Sequence, residues 1–431
     1  MKLCFVLQRR FAYLGHNIAI LLKEKYGIDK FCAYVSQRSS YDFLKSQKDI
    51  NYSELLLEEE IHKEFKNEKL DLDYMKKIEK EFGLPNLWPY LTIDRIVMSN
   101  QLVREYPYDN PPYNFDEMLK ILQVKIKAIL NFLENEKPDF IFISVIGSTG
   151  VSLLYHIAKK KNIKVWMVLP TTIKNKCTWS EHYAYFTEAE KRKTEPVGKR
   201  LVTFMEEARK YIQDFKQQQT PYYEEASPKN QPVFRFQQMK FLLPRNLLNT
   251  LLWMIGYFYH HYTSPDRHDY SYIGPFNYLK DGLKRKLRNL IGNDDLYDRY
   301  EPTDDFAFFP LHYEPEIGLL LQAPFFTNQL HTIKQIASAL PVGYKLYVKE
   351  HPVMVAYRPR SFYKQLKKIP NLKLLPPSIS SYEIIPHAKL ILTITGTVGW
   401  EAIIFKKPVI LFGEIFYNKL SFVAKCPMIE D

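Results

Sequence analysis

The chain has 431 residues, 46% of them hydrophobic and 25% charged, which allows two or three domains with sizeable cores and is ordinary for a globular protein. Its net charge of +12 favours phosphate-bearing or anionic surroundings, but no RNA- or DNA-binding motif accompanies the charge, so nucleic acid is not expected as a partner. Four scattered cysteines (Cys4, Cys32, Cys177, Cys426), without a CxxC pair, argue against a disulfide framework or a zinc site and suit a reducing compartment.

Residues 2–7 predict a buried strand; the apolar run is too short for a signal peptide, and Gln8-Arg9-Arg10 interrupts it. A helix over 15–26 and a strand over 31–35 follow. From 40 to about 80 the pattern is charged and helical, with residues 55–65 as its clearest amphipathic piece. Helices are predicted over 90–101 and 115–134, the second ended by Lys137-Pro138-Asp139. Strand 139–145, the turn Gly147-Ser148-Thr149-Gly150, helix 151–161 and strand 163–169 form a βαβ unit, so the sheet is expected to be parallel. That turn either holds an anion or is a tight turn with no ligand.

From 187 to 300 this rhythm lapses. The apolar stretch 247–262 is too short to span a bilayer and carries Asn249, His260 and His261, and a basic run follows over 279–288. The two pieces either rest on an anionic membrane surface or form helices packed on the main body, the second being the preferred reading. Strands over 305–310, 344–348, 372–375, 390–394 and 409–412, with helices between them, then predict a second doubly wound parallel sheet. Three regions are expected: 1–186, a connecting insert at 187–300 and 301–431.

The richest chemistry lies after these last strands. Thr393-Ile394-Thr395-Gly396-Thr397 ends an apolar strand and leads into a helix, so free backbone N–H groups and the helix dipole make a phosphate cradle. Thr395 or Thr397 could also simply cap that helix. Glu401 lies one turn beyond Thr397 and can face the same ligand. Lys349 and His351 follow another strand: Lys349 offers a point charge to phosphate, and His351, held extended by Pro352, can hydrogen-bond a phosphate oxygen or act as an acid. Glu314 and Glu316 are candidates to contact a sugar or orient His351, unless one of them caps the turn at Pro315. Ser378 and Ser381 sit in a serine-rich loop after strand 372–375.

The segments 308–316 (FFPLHYEPE), 346–352 (LYVKEHP), 393–402 (TITGTVGWEA) and 407–413 (KPVILFG) closely resemble the capsule polysaccharide biosynthesis family of GT-B-type glycosyltransferases, which includes bacterial enzymes that add Kdo from CMP-Kdo. The resemblance covers roughly 305–420. It implies an α/β, GT-B-like fold: two Rossmann-like domains facing a cleft, the N-terminal one on the acceptor side, with the helical insert between them. It also implies a metal-independent glycosyltransferase moving a sugar from a CMP- or UDP-linked donor to a growing capsular or surface glycan or glycolipid. No cofactor beyond the nucleotide-sugar donor is expected, and no metal, since no DxD signature stands at the cleft.

The resemblance assigns catalysis to His351, Glu314 and, where such folds carry a base after the first strand, His16. Donor binding falls to Lys349, Glu316, Ser378, Ser381, Thr395, Gly396, Thr397 and Glu401. The expected location is the cytoplasm, at the inner face of the membrane. Tyr313-Glu314-Pro315 stands where Kdo-transferring members carry a Gln-Pro pair, which leaves the donor open. A nucleotide-sugar 2-epimerase, a CDP-glycerol-type polyol-phosphate transferase and a non-catalytic export scaffold are the alternatives. Chains of this architecture usually continue with helices crossing back to the first domain, so the C-terminus is expected to be truncated or its helices replaced by the insert.

Overall fold

Short apolar strands assemble into two six-stranded sheets in the computed structural model, which describes residues 1–82, 86–99, 111–173, 176–192, 199–218, 239–264, 267 and 272–426. The first sheet contains β1 (Lys2–Leu7), β2 (Lys30–Val35), β3 (Tyr52–Leu57), β4 (Phe140–Ile143), β5 (Lys164–Pro170) and β6 (Cys177–Ser180), in the order β3-β2-β1-β4-β5-β6. The second contains β7 (Phe306–Pro310), β8 (Lys345–Lys349), β9 (Leu372–Leu375), β10 (Leu390–Thr393), β11 (Val409–Leu411) and β12 (Val423–Lys425), in the order β12-β11-β10-β7-β8-β9. Both sheets thus follow the same doubly wound order, with a topological switch between β1 and β4 and another between β7 and β10. Pairing is parallel except for β6, which runs antiparallel on the edge of the first sheet. Helices cover both faces, so the central strands are buried on both sides, which is why they read as unbroken apolar runs.

Local signals place the helices. Phe115–Glu136 starts at a capping box between Asn114 and Glu117 and stops at Lys137, which adopts a left-handed φ of 44° just before Pro138. Its apolar face (Ile121, Leu122, Ile126, Ile129) packs in the first core with Cys4, Val6 and Ile141.

The structure corrects the sequence reading in several places. Residues 52–57 form β3, not part of an amphipathic helix; the chain pairs with β2 there and turns helical only at Glu58. The edge strands β6 and β12 were not foreseen, being short and only partly buried. The insert helix Pro244–Thr263 buries none of its residues, so the packing of the insert on the main body, preferred from the sequence, does not hold for it.

The Gly147–Gly150 turn resolves in favour of a turn that needs no ligand. Glu58, itself buried, accepts from the Gly150 N–H at 3.1 Å, from Ser148 Oγ at 2.7 Å and from Lys125 Nζ at 2.7 Å. The chain's own carboxylate therefore occupies the anion seat at the start of the helix Thr149–Lys160. A Cβ on Gly150 would stand 2.6 Å from Glu58 Oε1, so only glycine leaves room.

The carboxyl ends of the two sheets meet. Gly147, after β4, lies next to both Gln8, after β1, and Ile317, after β7. Thr92 Oγ1 donates to the Leu320 carbonyl at 3.3 Å, tying the helix Trp88–Thr92 to Ile317–Gln322. Phe186 stacks on Phe416 with ring centroids 4.6 Å apart, and Lys419 pairs with Glu190 at 3.0 Å. The helix Lys199–Gln218 also touches both halves, through Tyr211 on the Thr172 carbonyl and Phe215 on Tyr382.

Candidate active site

At the second switch point a cleft of about 370 Å³ opens between the loops after β7, β8 and β10. It brings together most of the residues singled out from the sequence: Glu316, Lys349, His351, Ser381, Thr395, Gly396, Thr397 and Glu401 all line it. Three others stand elsewhere. Ser378 is exposed on the turn before Ser380 and is not among the lining residues. Glu314 lies buried beneath the cleft, 3% exposed. His16 is buried in the N-terminal half, its Nδ1 3.1 Å from the Tyr52 hydroxyl and its ring edge-on to Phe43, where burial lowers its pKa.

The cradle is built around His312, which stands within the segment 308–316 and is not among the site residues expected from the sequence. Its Nε2 accepts from the Thr395 N–H at 3.1 Å and lies 3.1 Å from Thr393 Oγ1, whose oxygen accepts from the Gly396 N–H at 3.1 Å. The proton therefore sits on Nδ1, and burial, with the Arg358 charge nearby, lowers the pKa to about 3, so the ring is a neutral acceptor. This network shapes the strand-to-helix turn and leaves Gly396 at the N-cap of Thr397–Ile404 without a side-chain cap. A Cβ on Gly396 would meet Thr393 Oγ1 at 2.6 Å, so the close approach requires glycine. Gly396 carries no capping side chain, and of the opening N–H groups only that of Gly399 bonds back to the Gly396 carbonyl, at 3.2 Å, which leaves those of Thr397 and Val398 for a ligand.

Lys349 ends β8 and is 4% exposed; its carbonyl accepts from the Leu311 N–H at 2.9 Å, but its ammonium makes no hydrogen bond or ion pair with any described residue. Burial pulls its pKa down to about 8, against the attraction of Glu401, Glu350 and Glu383. A buried ammonium without a partner is costly unless an anion arrives to pair with it. Glu401 is 6% exposed, and burial pushes its carboxyl up to about 7, with the Tyr382 hydroxyl and Lys349 opposing the shift. His351 accepts the Val353 N–H on Nδ1 at 3.2 Å, which in the neutral ring leaves the proton on Nε2, and its ring lies edge-on to Tyr313.

A buried ionic brace underlies these groups. Arg358, fully buried, donates to Glu350, to the His312 carbonyl at 2.6 Å and to Glu314 at 3.3 Å. Glu350 also accepts from the Tyr363 hydroxyl and from the His351 N–H, both at 2.6 Å. Gln329 completes the brace by donating to Glu314 and accepting the His312 N–H at 2.7 Å. Burial opposes the charge of Arg358, but Glu350 and Glu314 hold its pKa above the ordinary value. Burial raises the pKa of Glu314 despite Arg358. Glu314 thus acts on the loop holding His312, and Glu350 fixes the backbone of His351.

Glu401 makes one contribution to the pH dependence of stability that a single substitution isolates. Its folded pKa of about 7 exceeds the ordinary 4.5, so the folded chain binds more protons between these values. The stabilisation is full below 4.5 and lost as pH rises through 7. Glu401→Gln is expected to gain stability relative to the parent as urea unfolding is repeated from pH 5 to pH 7; a constant difference would contradict this assignment.

Two Rossmann-like halves with a polar cleft at the C-terminal switch point define a GT-B-like α/β protein. Residues 259–421 match the family model described as capsule polysaccharide biosynthesis protein, which assigns that part of the chain to the family its motifs resemble. Protein FixF of Sinorhizobium fredii (strain NBRC 101917 / NGR234) is 26% identical over 144 residues, 32% of this chain and 35% of that protein. The chain thus spans about a third of the length of that curated relative. Among solved structures, the beta Kdo 2,7 transferase of Thermosulfurimonas dismutans KpsC is 12% identical with a TM-score of 0.32, covering 70% of this chain and 73% of that one. The UDP-GlcNAc 2-epimerase of Neisseria meningitidis bound to UDP-GlcNAc is 12% identical with a TM-score of 0.23, covering 98% and 87%. At these values neither neighbour says anything of this chain's substrate.

Proposed function

We propose that the chain is a GT-B-type glycosyltransferase of capsular or surface polysaccharide assembly, taking a sugar from a CMP- or UDP-linked donor. The observation that carries this reading is Lys349, whose ammonium has no hydrogen-bond or ion-pair partner among the described residues and faces the same cleft as the uncapped start of the helix Thr397–Ile404. The donor phosphate sits between them, and Glu401 holds the ribose. In transfer, a hydroxyl oxygen of the acceptor glycan or glycolipid bonds to the anomeric carbon as the bond from that carbon to the phosphate oxygen breaks. The nucleotide leaves with the bonding electrons. Lys349, the helix N–H groups and the Nε2 proton of His351 stabilise the charge that develops on it, without a metal ion. The acceptor's proton passes to a general base on the acceptor side; His16, buried against Tyr52 and Phe43, is not among the lining residues of the donor cleft. The chain works in the cytoplasm at the inner face of the membrane.

The test is product analysis with a panel of CMP- and UDP-sugars and an oligosaccharide acceptor, with and without a chelator. Sugar transfer that survives the chelator and falls by about 100-fold in kcat for His351→Ala is the expected result. An epimerised donor with no transfer would replace this reading with an epimerase. No turnover with any donor, despite nucleotide binding, would favour a scaffold.

A further inference from the structure

The helices Pro244–Thr263 and Pro275–Ile291 form a pair joined by aromatic contacts, Tyr257 on Tyr278 at 5.0 Å and Phe258 on Phe276 at 5.2 Å. Their outer faces are apolar and exposed among the described residues. Leu247, Leu251, Ile255 and Tyr259 recur every four residues along the first helix, all exposed, with Leu252 and Trp253 beside them. On the second helix Leu279, Leu283, Leu287 and Leu290 follow helical spacing, Leu283 and Leu287 each 59% exposed. So large a contiguous apolar surface marks an interaction site.

Charge identifies the occupant. The described stretches 239–264 and 272–291 carry seven basic residues (Lys240, Arg245, Lys280, Lys284, Arg285, Lys286, Arg288) and one acid, Asp281. That acid is buried and paired with Arg285 at 2.9 Å. A second copy would bring the same basic surround against itself, whereas an anionic bilayer offers apolar depth and negative headgroups together. Trp253, Tyr259 and Tyr262 are exposed side chains of the amphipathic kind that settle at headgroup level. No helix among the described residues is long and apolar enough to cross a membrane, so the pair would lie in the interface. The pair is also fixed to the C-terminal half: Arg285 lies over the Tyr357 ring at 4.9 Å and Arg288 donates to the Tyr357 carbonyl, next to the brace residue Arg358.

We infer that this helical pair is an interfacial docking surface for anionic phospholipid, seating its leucine faces among the acyl chains and Lys280 and Lys284 on the headgroup phosphates. The inference rests on the helices alone, not on the donor chemistry of the cleft. Its test is flotation of the full chain with phosphatidylcholine vesicles, with and without about 30 mol% phosphatidylglycerol. The parent is expected to float only with the anionic vesicles, and less at about 0.5 M salt. Leu283→Glu with Leu287→Glu should lower binding by about tenfold or more, and Lys280→Glu with Lys284→Glu by about tenfold. Nucleotide binding by each variant serves as the check that it is folded, and it should not change. A parent that stays unbound with anionic vesicles overturns the inference. So does a concentration-dependent dimer in sedimentation that the leucine pair abolishes while vesicle binding is absent, since a second copy would then cover the face.

Discussion

Arg358→Met is expected to destabilise the C-terminal half by about 3–5 kcal/mol. The guanidinium is fully buried and serves two buried carboxylates and a carbonyl at once. Methionine conserves much of the volume but leaves Glu350 and Glu314 without their cation in a low-dielectric interior. With a urea dependence of about 1–3 kcal/mol per molar, the unfolding midpoint should fall by roughly 1–5 M. Adding Glu350→Gln to Arg358→Met should restore part of the loss, because it removes one of the stranded charges. A single variant as stable as the parent would show that the brace contributes nothing.

Lys349→Met separates binding from folding in the opposite sense. The residue is buried and its ammonium has no hydrogen-bond or ion-pair partner among the described residues, so replacing it by an apolar chain of similar length should leave the ligand-free protein as stable as the parent, or more so. Nucleotide affinity should nonetheless fall by about 10- to 100-fold, corresponding to one charge-assisted contact of about 1.5–3 kcal/mol. The affinity of the parent should itself decline as pH rises through about 8, where Lys349 loses its proton, and the variant should lack that decline. Calorimetric titration with CMP and UDP from pH 6.5 to 9, with thermal unfolding of both proteins, checks all three. A large loss of stability together with binding would make Lys349 a structural residue.

Much of this was legible in the chain itself. The inner strands β1, β4, β7, β8 and β10 are buried on both faces and therefore announce themselves as apolar runs, and the residues just beyond them fall at the switch points by topology. That is why Lys349, His351, Thr395 and Glu401 could be placed in one cleft. β3 is hard to read because it lies on the sheet edge, only partly buried, and its three leucines run into three glutamates that begin a helix. The brace was invisible for a related reason: Arg358 meets Glu314 and His312 across 44 and 46 residues, and no local pattern marks such a junction. His312 did stand in a quoted motif directly after β7, and its position was the signal that could have selected it. For the insert, periodicity showed an apolar face but not whether anything covers it. For the Gly147–Gly150 turn, sequence could not show that Glu58, some 90 residues earlier, already fills the anion seat.

Amide hydrogen exchange with and without saturating CMP or UDP tests the central claim most directly, since it reports where a nucleotide is held. Protection is predicted over 349–353 and 393–402, strongest at the opening N–H groups of the helix that starts at Thr397, with none over 147–151. Protection over 147–151 instead, or none anywhere on a chain that binds the nucleotide, would contradict the placement of the donor in the C-terminal cleft.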